Sequence, residues 1–132
     1  MNASVSSSVD GKDYEKAMEN AIERAIAAVA VKIEGDAIVN VPVDTGRLRG
    51  SITYATKKKR SYPKKAGDGV SQPAAKWTAH VGTNVEYAQH VEYGTRRRPG
   101  GQPYLRPALD SNKSIAPKLF QQEVEEGLKR GK

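Results

Sequence analysis

Apolar side chains recur at steps of three and four from Lys12 to about Asn40: Tyr14, Met18, Ile22, Ala25, Ile26, Val29, Ile33, Ala37 and Ile38. That period predicts one long amphipathic helix. Lys16, Glu19, Glu23, Arg24, Lys32, Glu34 and Asp36 fall between them and mark the solvent side, and Asp10 or Asp13 is placed to cap the start. At 1.5 Å per residue the helix would run about 40 Å, more than a domain this small covers by itself. Its alanine-rich middle, AIERAIAAVAVKI, permits close helix packing, with an intramolecular core the first use to expect, and Gly35 either bends the helix or admits a neighbour. Pro42 ends it, because proline has no amide hydrogen and drives Val41 toward extended geometry.

Beyond Pro42 the period changes. Asp44 or Thr45 is placed to cap a short turn through Gly46, Arg47, Leu48, Arg49 and Gly50, with Leu48 and Ile52 pointing inward. Ser51 to Thr56 alternates as a half-buried strand does, Ile52, Tyr54 and Thr56 sharing a face. Ala75 to Val81 alternates again, with Trp77, Ala79 and Val81 on one side, and antiparallel pairing of the two is expected. The connection over 57–74 is long for a hairpin and holds Pro63, Gly67, Gly69 and Pro73, which predicts a mobile loop. Gly82 to Gly94 reads as a turn into a short helix capped by Asn84, with Val85, Ala88 and Val91 on one face and Gly94 as terminator; extended structure is the alternative. Tyr87 and Tyr93 suit either a small core or a packed surface with a polar edge. An Arg/Gly loop at 95–102 precedes a last helix opened by Pro107 and Ala108, with Leu105, Leu109, Ile115, Leu119, Val124 and Leu128 as its stripe. Pro117 predicts a kink or a break near Ser114, itself a candidate cap.

The chain is therefore α+β. A long N-terminal helix packs on a small antiparallel sheet with a long basic hairpin loop, followed by a short middle helix and a C-terminal helix kinked near Pro117. One domain spans 12–129 behind a flexible arm at 1–11. Composition keeps the core modest: with one Phe, one Trp and two Met, and 28% of residues charged, part of the stability is expected from neighbouring subunits.

Charge is unevenly placed. Lys57, Lys58, Lys59, Arg60, Lys64 and Lys65 lie in one loop and Arg96, Arg97 and Arg98 in another. These nine cations exceed the net charge of +7, so the rest of the chain carries −2. Such clusters attract phosphate or acidic protein surfaces, although loop lysines also serve solubility. The chain has no cysteine, which excludes disulfides and thiolate metal sites. The Ser-rich N-terminus lacks a secretion-signal pattern, and the apolar run from Ala25 to Val31 is too short for a bilayer.

Catalytic chemistry finds little footing. His80 and His90 are the only histidines, and the chain holds no phosphate-cradling loop and no zinc-protease motif. Glu86 and His90 lie four apart, yet no third ligand is nominated. Ser51 and the Ser6 to Ser8 run have no partner base at readable spacing. No catalytic, metal-binding or cofactor-binding residue is assigned, and an enzyme is not expected.

Three blocks carry a likeness: VPVDTGRLRGSI (Val41 to Ile52), VGTNVEYAQHVEYGT (Val81 to Thr95) and QPYLRPALD (Gln102 to Asp110). Their order and spacing resemble the small tail-completion, or neck, proteins of long-tailed double-stranded DNA phages, the lambdoid minor tail protein Z type. The residues carrying the likeness are Asp44, Thr45, Gly46, Leu48, Tyr87, Ala88, Glu92, Tyr93, Gly94, Thr95, Pro103, Leu105, Pro107 and Ala108. The run Arg96 to Gly101 departs from the leaner family pattern. The resemblance implies a virion structural protein at the top of the tail, assembled in the host cytoplasm. Its partners would be copies of itself in a six-fold ring, a head-closure protein and a tail terminator, with DNA crossing the lumen; the free chain could be monomeric. The basic loops would meet these partners. The competing reading is a stand-alone nucleic-acid-binding module using loops 57–65 and 96–98, although no stacking platform or recognition-helix pattern supports sequence reading.

Overall fold

The computed structural model describes residues 11–42, 46–97 and 99–129. Along them run α1 (Gly11–Asn40), α2 (Gly46–Ser51), β1 (Thr53–Thr56), β2 (Ala79–Gly82), α3 (Ala88–Tyr93), α4 (Leu105–Asn112) and α5 (Ala116–Lys129). The α+β class is as expected. Gly11, assigned to the arm, instead opens α1. The rest of that arm, the capping roles of Asp10, Asp13, Asp44 and Thr45, and Arg98 lie outside the described residues.

The spine is α1, 30 residues without interruption and about 45 Å long. α5 lies along it most extensively, and α4, β1 and β2 all touch it. The buried apolar positions of α1 are small: Ala21, Ala25, Ala27, Ala30 and Ala37. Ile22, Ile26, Val29 and Ile33 are only half-buried, and Tyr14, expected at the head of the stripe, is 56% exposed. The helices approach closely at Gly127 of α5, where an added Cβ would lie 2.9 Å from the Ala21 Cβ. Gly35 has no such neighbour.

Two carboxylates expected on the solvent side of α1 turn inward. Glu23 is 8% exposed, and Glu34 accepts the Tyr54 N–H at 3.0 Å together with the Ser61 hydroxyl. Glu23, Ala27, Ala30 and Glu34 step by four, three and four, so they share a face. That face is a second buried side of the helix, and at Glu34 it meets β1. A single apolar stripe could not reveal it.

β1 and β2 pair antiparallel with Thr53 opposite Gly82, Tyr54 opposite Val81, Ala55 opposite His80 and Thr56 opposite Ala79. Directly opposed residues share a face, so Tyr54, Thr56, Ala79 and Val81 form one side and Thr53, Ala55 and His80 the other. The second side is largely covered at Thr53 and Ala55, while His80 stays exposed. Residues 57–74 fold over it: Val70 N–H donates to Thr53 Oγ1 at 2.8 Å, and His80 Nδ1 pairs with the Ser71 carbonyl at 3.0 Å. The start of the same loop lines the outer edge of β1, with Thr56 N–H donating to Lys59 O, Ser61 N–H to Tyr54 O and Ala55 bridging Arg60. Thr53, Ala55 and Thr56 are consequently buried, where a half-exposed alternation was expected. β2 is also shorter than expected, beginning at Ala79; Trp77 has a left-handed backbone (φ 56°) and is 48% exposed.

The main core gathers where the termini of these elements meet, with Ala37 and Val41 at the end of α1, Leu48 and Ile52, Val85, Ala88, Tyr104 and Ala108. α3 is the helix expected before Gly94, which closes it with φ 94°. Its N-cap is Tyr87 with no side-chain hydrogen bond, so Asn84 does not cap it. Asn84 instead ties down the loop, donating from its side chain to Gly67 O at 3.1 Å and from its backbone to Asp68 O at 2.6 Å. Tyr87 packs on the core, whereas Tyr93 is 70% exposed and does not. The C-terminal stripe splits into α4 and α5 around Lys113–Ile115, as Pro117 required, with that proline in the first turn of α5. Pro107 likewise sits within the first turn of α4, which starts at Leu105. Leu109 (48%) and Ile115 (47%) stay exposed, since the break turns their faces outward.

Two glycines separate packing from propensity. Gly127→Leu forces α5 away from Ala21 and should cost about 2 kcal/mol, lowering the melting temperature by roughly 8 °C. Gly35→Ala, in open space within α1, should raise stability by about 1 kcal/mol. Thermal melts followed by circular dichroism check both signs.

Candidate docking surfaces

The first block builds a joint between α1 and the sheet. Leu48 is fully buried, and Ser51, equally covered, donates to Leu48 O at 2.6 Å and meets Thr83 Oγ1 at 2.6 Å. Arg47 organises the surface of this joint. Its guanidinium grips Asp68 through Nε (3.1 Å) and Nη2 (3.0 Å) and reaches Glu86 through Nη1 (2.9 Å), 6.0 Å from the Tyr87 ring. The pairing with Asp68, then that with Glu86, raises the Arg47 pKa, and Arg47 in turn holds the Asp68 carboxyl below its usual range. Glu86 is lowered first by its own backbone N–H and then by Arg47. One arginine thus pins the base of the basic loop to the turn before α3. The sequence places Arg47 in the motif, but its acidic partners lie 21 and 39 residues away, beyond any local pattern.

The second and third blocks lock together through Glu92. Its buried carboxylate accepts the backbone N–H groups of Tyr104 (3.1 Å) and Leu105 (2.9 Å) through Oε1 and of Arg106 (3.1 Å) through Oε2. A carboxylate from α3 therefore satisfies the amide groups at the start of α4 that have no partner within the helix. Gly101 makes the approach possible, because at φ 57° a Cβ there would stand 2.5 Å from Gly94 N and 2.6 Å from Val91 O. The Arg/Gly loop closes on α3 with Gln102 N–H donating to Val91 O at 2.8 Å and Gly94 bridging Pro99. Tyr104 is buried, its hydroxyl donating to Ala88 O at 3.4 Å, and burial followed by the charge of Glu92 pushes its pKa up to about 12. Gly94, Ala88 and Ala108 are structural in the same region, while Pro103 is exposed.

The expected contact residues Lys57, Lys58, Lys59, Arg60, Lys64, Lys65, Arg96 and Arg97 are all exposed. Lys64 lies over Gly50, with its backbone N–H donating to Gly50 O at 2.9 Å. Glu86 precedes α3 and is committed to Arg47, so it shares no helix face with His90. Among the described residues no group of three or more histidine or acidic side chains could hold a metal ion, and no helix of theirs is long and apolar enough to cross a membrane. A further feature has no signature in the chain order: an open apolar groove of about 620 Å³ between α1, β2 and the α4–α5 pair, walled by Ile26, Ile33, Val81, Leu105, Leu109 and Phe120.

A family model described as "Bacteriophage HK97-gp10, putative tail-component" matches residues 11–94. The chain belongs to this HK97-gp10-like family of phage tail components. No curated protein and no solved structure matches the chain. The family match runs from α1 through α3 and includes the Arg47 joint and Glu92; the third block, with α4 and α5, follows it. Leu48, Ala88 and Glu92, within the matched span, are spent on holding the fold, whereas Tyr93 is exposed. The exposed surfaces left over are the basic loops and the groove.

Removing the Glu92 clamp strands three backbone donors. Glu92→Ala should cost about 3 kcal/mol, readable as a thermal shift, while Glu92→Gln, which keeps the acceptor oxygen, should cost less. Tyr104 adds an alkaline limit. From pH 10.0, where a tyrosine ordinarily ionises, to about 12, the folded chain retains a proton that the unfolded chain has lost. Stability should therefore fall as pH rises through that window, by on the order of 2 kcal/mol. Melts of the parent and of Tyr104→Phe from pH 9 to 12, where about that part of the slope should vanish in the variant, measure it.

Proposed function

We propose that this tail component completes the tail at its neck, forming or joining a ring that links tail to DNA-filled head. The observation that carries the reading is the division of labour among its side chains. Motif residues such as Leu48, Glu92 and Ala108 are buried in one scaffold, whereas nearly every surplus cation stands exposed on two loops. A rigid body with adhesive loops suits a part clamped between neighbours. Arg96 and Arg97 offer forked donors to acidic partner surfaces, pairing that lysine cannot copy. Closed rings arise when one patch meets a different patch on the next copy and the rotation closes. The six-fold copy number, the head-closure and tail-terminator partners and the passage of DNA through the lumen belong to this proposal. So does the absence of catalysis.

Deleting the protein from the producing phage should leave separate heads and tails, visible by electron microscopy, and supplying it in trans should restore infectious particles. Intact particles without it would reject the neck assignment. The nucleic-acid-binding alternative makes a different demand on the purified chain: if all nine loop cations met phosphate, duplex affinity would fall with a log–log salt slope of about −8. A neck component should bind duplex DNA weakly at physiological salt.

A further inference from the structure

The sheet stops one strand short of the helices beside it. Tyr54 spends its backbone groups on the outer edge of β1, donating to Glu34 and accepting from Ser61 N–H, and Thr56 N–H likewise donates to Lys59 O. Their cross-strand partners are Val81 and Ala79. These are therefore the non-hydrogen-bonded pairs of the ladder, so the N–H and C=O groups of Val81 and Ala79 point away from β1. Among the described residues the sheet has two strands, and none of them hydrogen-bonds to this edge of β2. Val81 and Ala79 both line the groove while β1 contributes nothing to it, which places the groove along the open edge rather than over the sheet. Ile26 and Ile33 of α1, Leu109 of α4 and Phe120 of α5 form its other walls. Unpaired backbone on one side and apolar side chains on the others suit an extended segment that adds a strand.

The chain contains a segment with that pattern. Ala3, Val5 and Val9 alternate with Ser4, Ser6 and Ser8, and only Ser7 interrupts the apolar set. As a strand, Ala3–Val9 would present one largely apolar face and one hydroxyl face. It carries no charge, and Lys113 is the only charged residue among those lining the groove. Residues 1–10 lie outside the described residues. Reach decides which copy they serve. α1 runs about 22 Å from Gly11 to Ile26, whereas an extended chain from Gly11 back to Val5 spans about 20 Å and to Val9 only about 7 Å. The segment cannot bring both valines into the groove of its own chain.

We propose that Ala3–Val9 of one copy pairs along the open edge of β2 in the next as a third strand, with Val5 and Val9 turned into the groove. Main-chain hydrogen bonds to Ala79 and Val81 supply the pairing, and the alternate valines set its register. The contact is heterologous, so repetition builds a ring or a filament. This inference rests on the ring reading above and supplies its subunit joint.

With no cysteine in the chain, two single-cysteine variants read it out. Ser6→Cys chains, altered on the hydroxyl face, are mixed with Lys113→Cys chains, altered at an exposed position beside the groove. A short bismaleimide is applied to the purified mixture at concentrations rising to millimolar and to assembled tails. The mixed link forms only between copies. We expect it in tails at least, together with slower amide hydrogen exchange at Ala79 and Val81 than in the free chain. Adding Val5→Asp and Val9→Asp to the Ser6→Cys chain, which changes none of the described residues, should lower the link about tenfold or more. Ser7→Val, which completes the apolar face, should raise it. Absence of the mixed link from both samples, its survival with the two aspartates, or a link without slowed exchange at Ala79 and Val81 would each overturn the proposal. So would a link that forms only within single chains carrying both cysteine substitutions. Tails that lose the link to the aspartates yet still join heads would refute this joint and leave the neck reading in place, whereas heads and tails that join without the protein refute the neck reading itself.

Discussion

The fold depends on how closely its elements approach one alanine-faced helix. A chain with one Phe and one Trp cannot fill a wide core, so it narrows the gap instead. Gly127 against Ala21 leaves no room for a Cβ, and the buried apolar positions along α1 are all alanine. Each such pair buries little area, yet close backbone approach over a long seam sums many small dispersion contacts. The larger apolar residues of α1 are left half-covered. The groove is the direct result, because isoleucines on a helix this long outrun the elements available to cover them.

Polar clamps then fix what sparse apolar mass leaves loose. Glu92 gathers three amide groups at the head of α4, Glu34 holds β1 to the spine through a backbone amide, and Arg47 joins the basic loop to the turn before α3. All three span long separations in sequence, so each closes a large loop with a few directional bonds. Hydrogen bonds to charged groups are the stronger kind, and the carboxylate of Glu92 is buried, where competition from water is least. The same helix also supplies Leu105, Leu109 and Asn112 to the wall of the groove.

Much of this was legible in the residues. The period of α1, the stop at Pro42, the antiparallel pairing of β1 with β2, Gly94 as terminator and the break before Pro117 all follow from local rules. What escaped depends on tertiary approach. Glu23 and Glu34 look solvent-facing when one stripe is counted; β1, packed on a second face, turns Glu34 inward, and Glu23 is buried on that same face. Asn84 has the chemistry of a cap, but its side-chain amide and its backbone N–H donate to Gly67 O and Asp68 O of the loop. Tyr93 and Tyr87 occupy equivalent repeats of VEY, and their opposite fates reflect which side of α3 meets Leu48 and Ala37. Among candidate contact residues, exposure of the cations was readable; the groove was not, since its walls come from four separated elements.

The same economy explains why cationic loops and an apolar groove coexist on one small body. A half-covered spine leaves apolar surface that water penalises, and a monomer can tolerate this when the patch is modest. Excess like charge on the loops opposes random aggregation by keeping free copies apart. Both features are left unsatisfied by folding alone, the loops as unpaired charge and the groove as uncovered apolar surface.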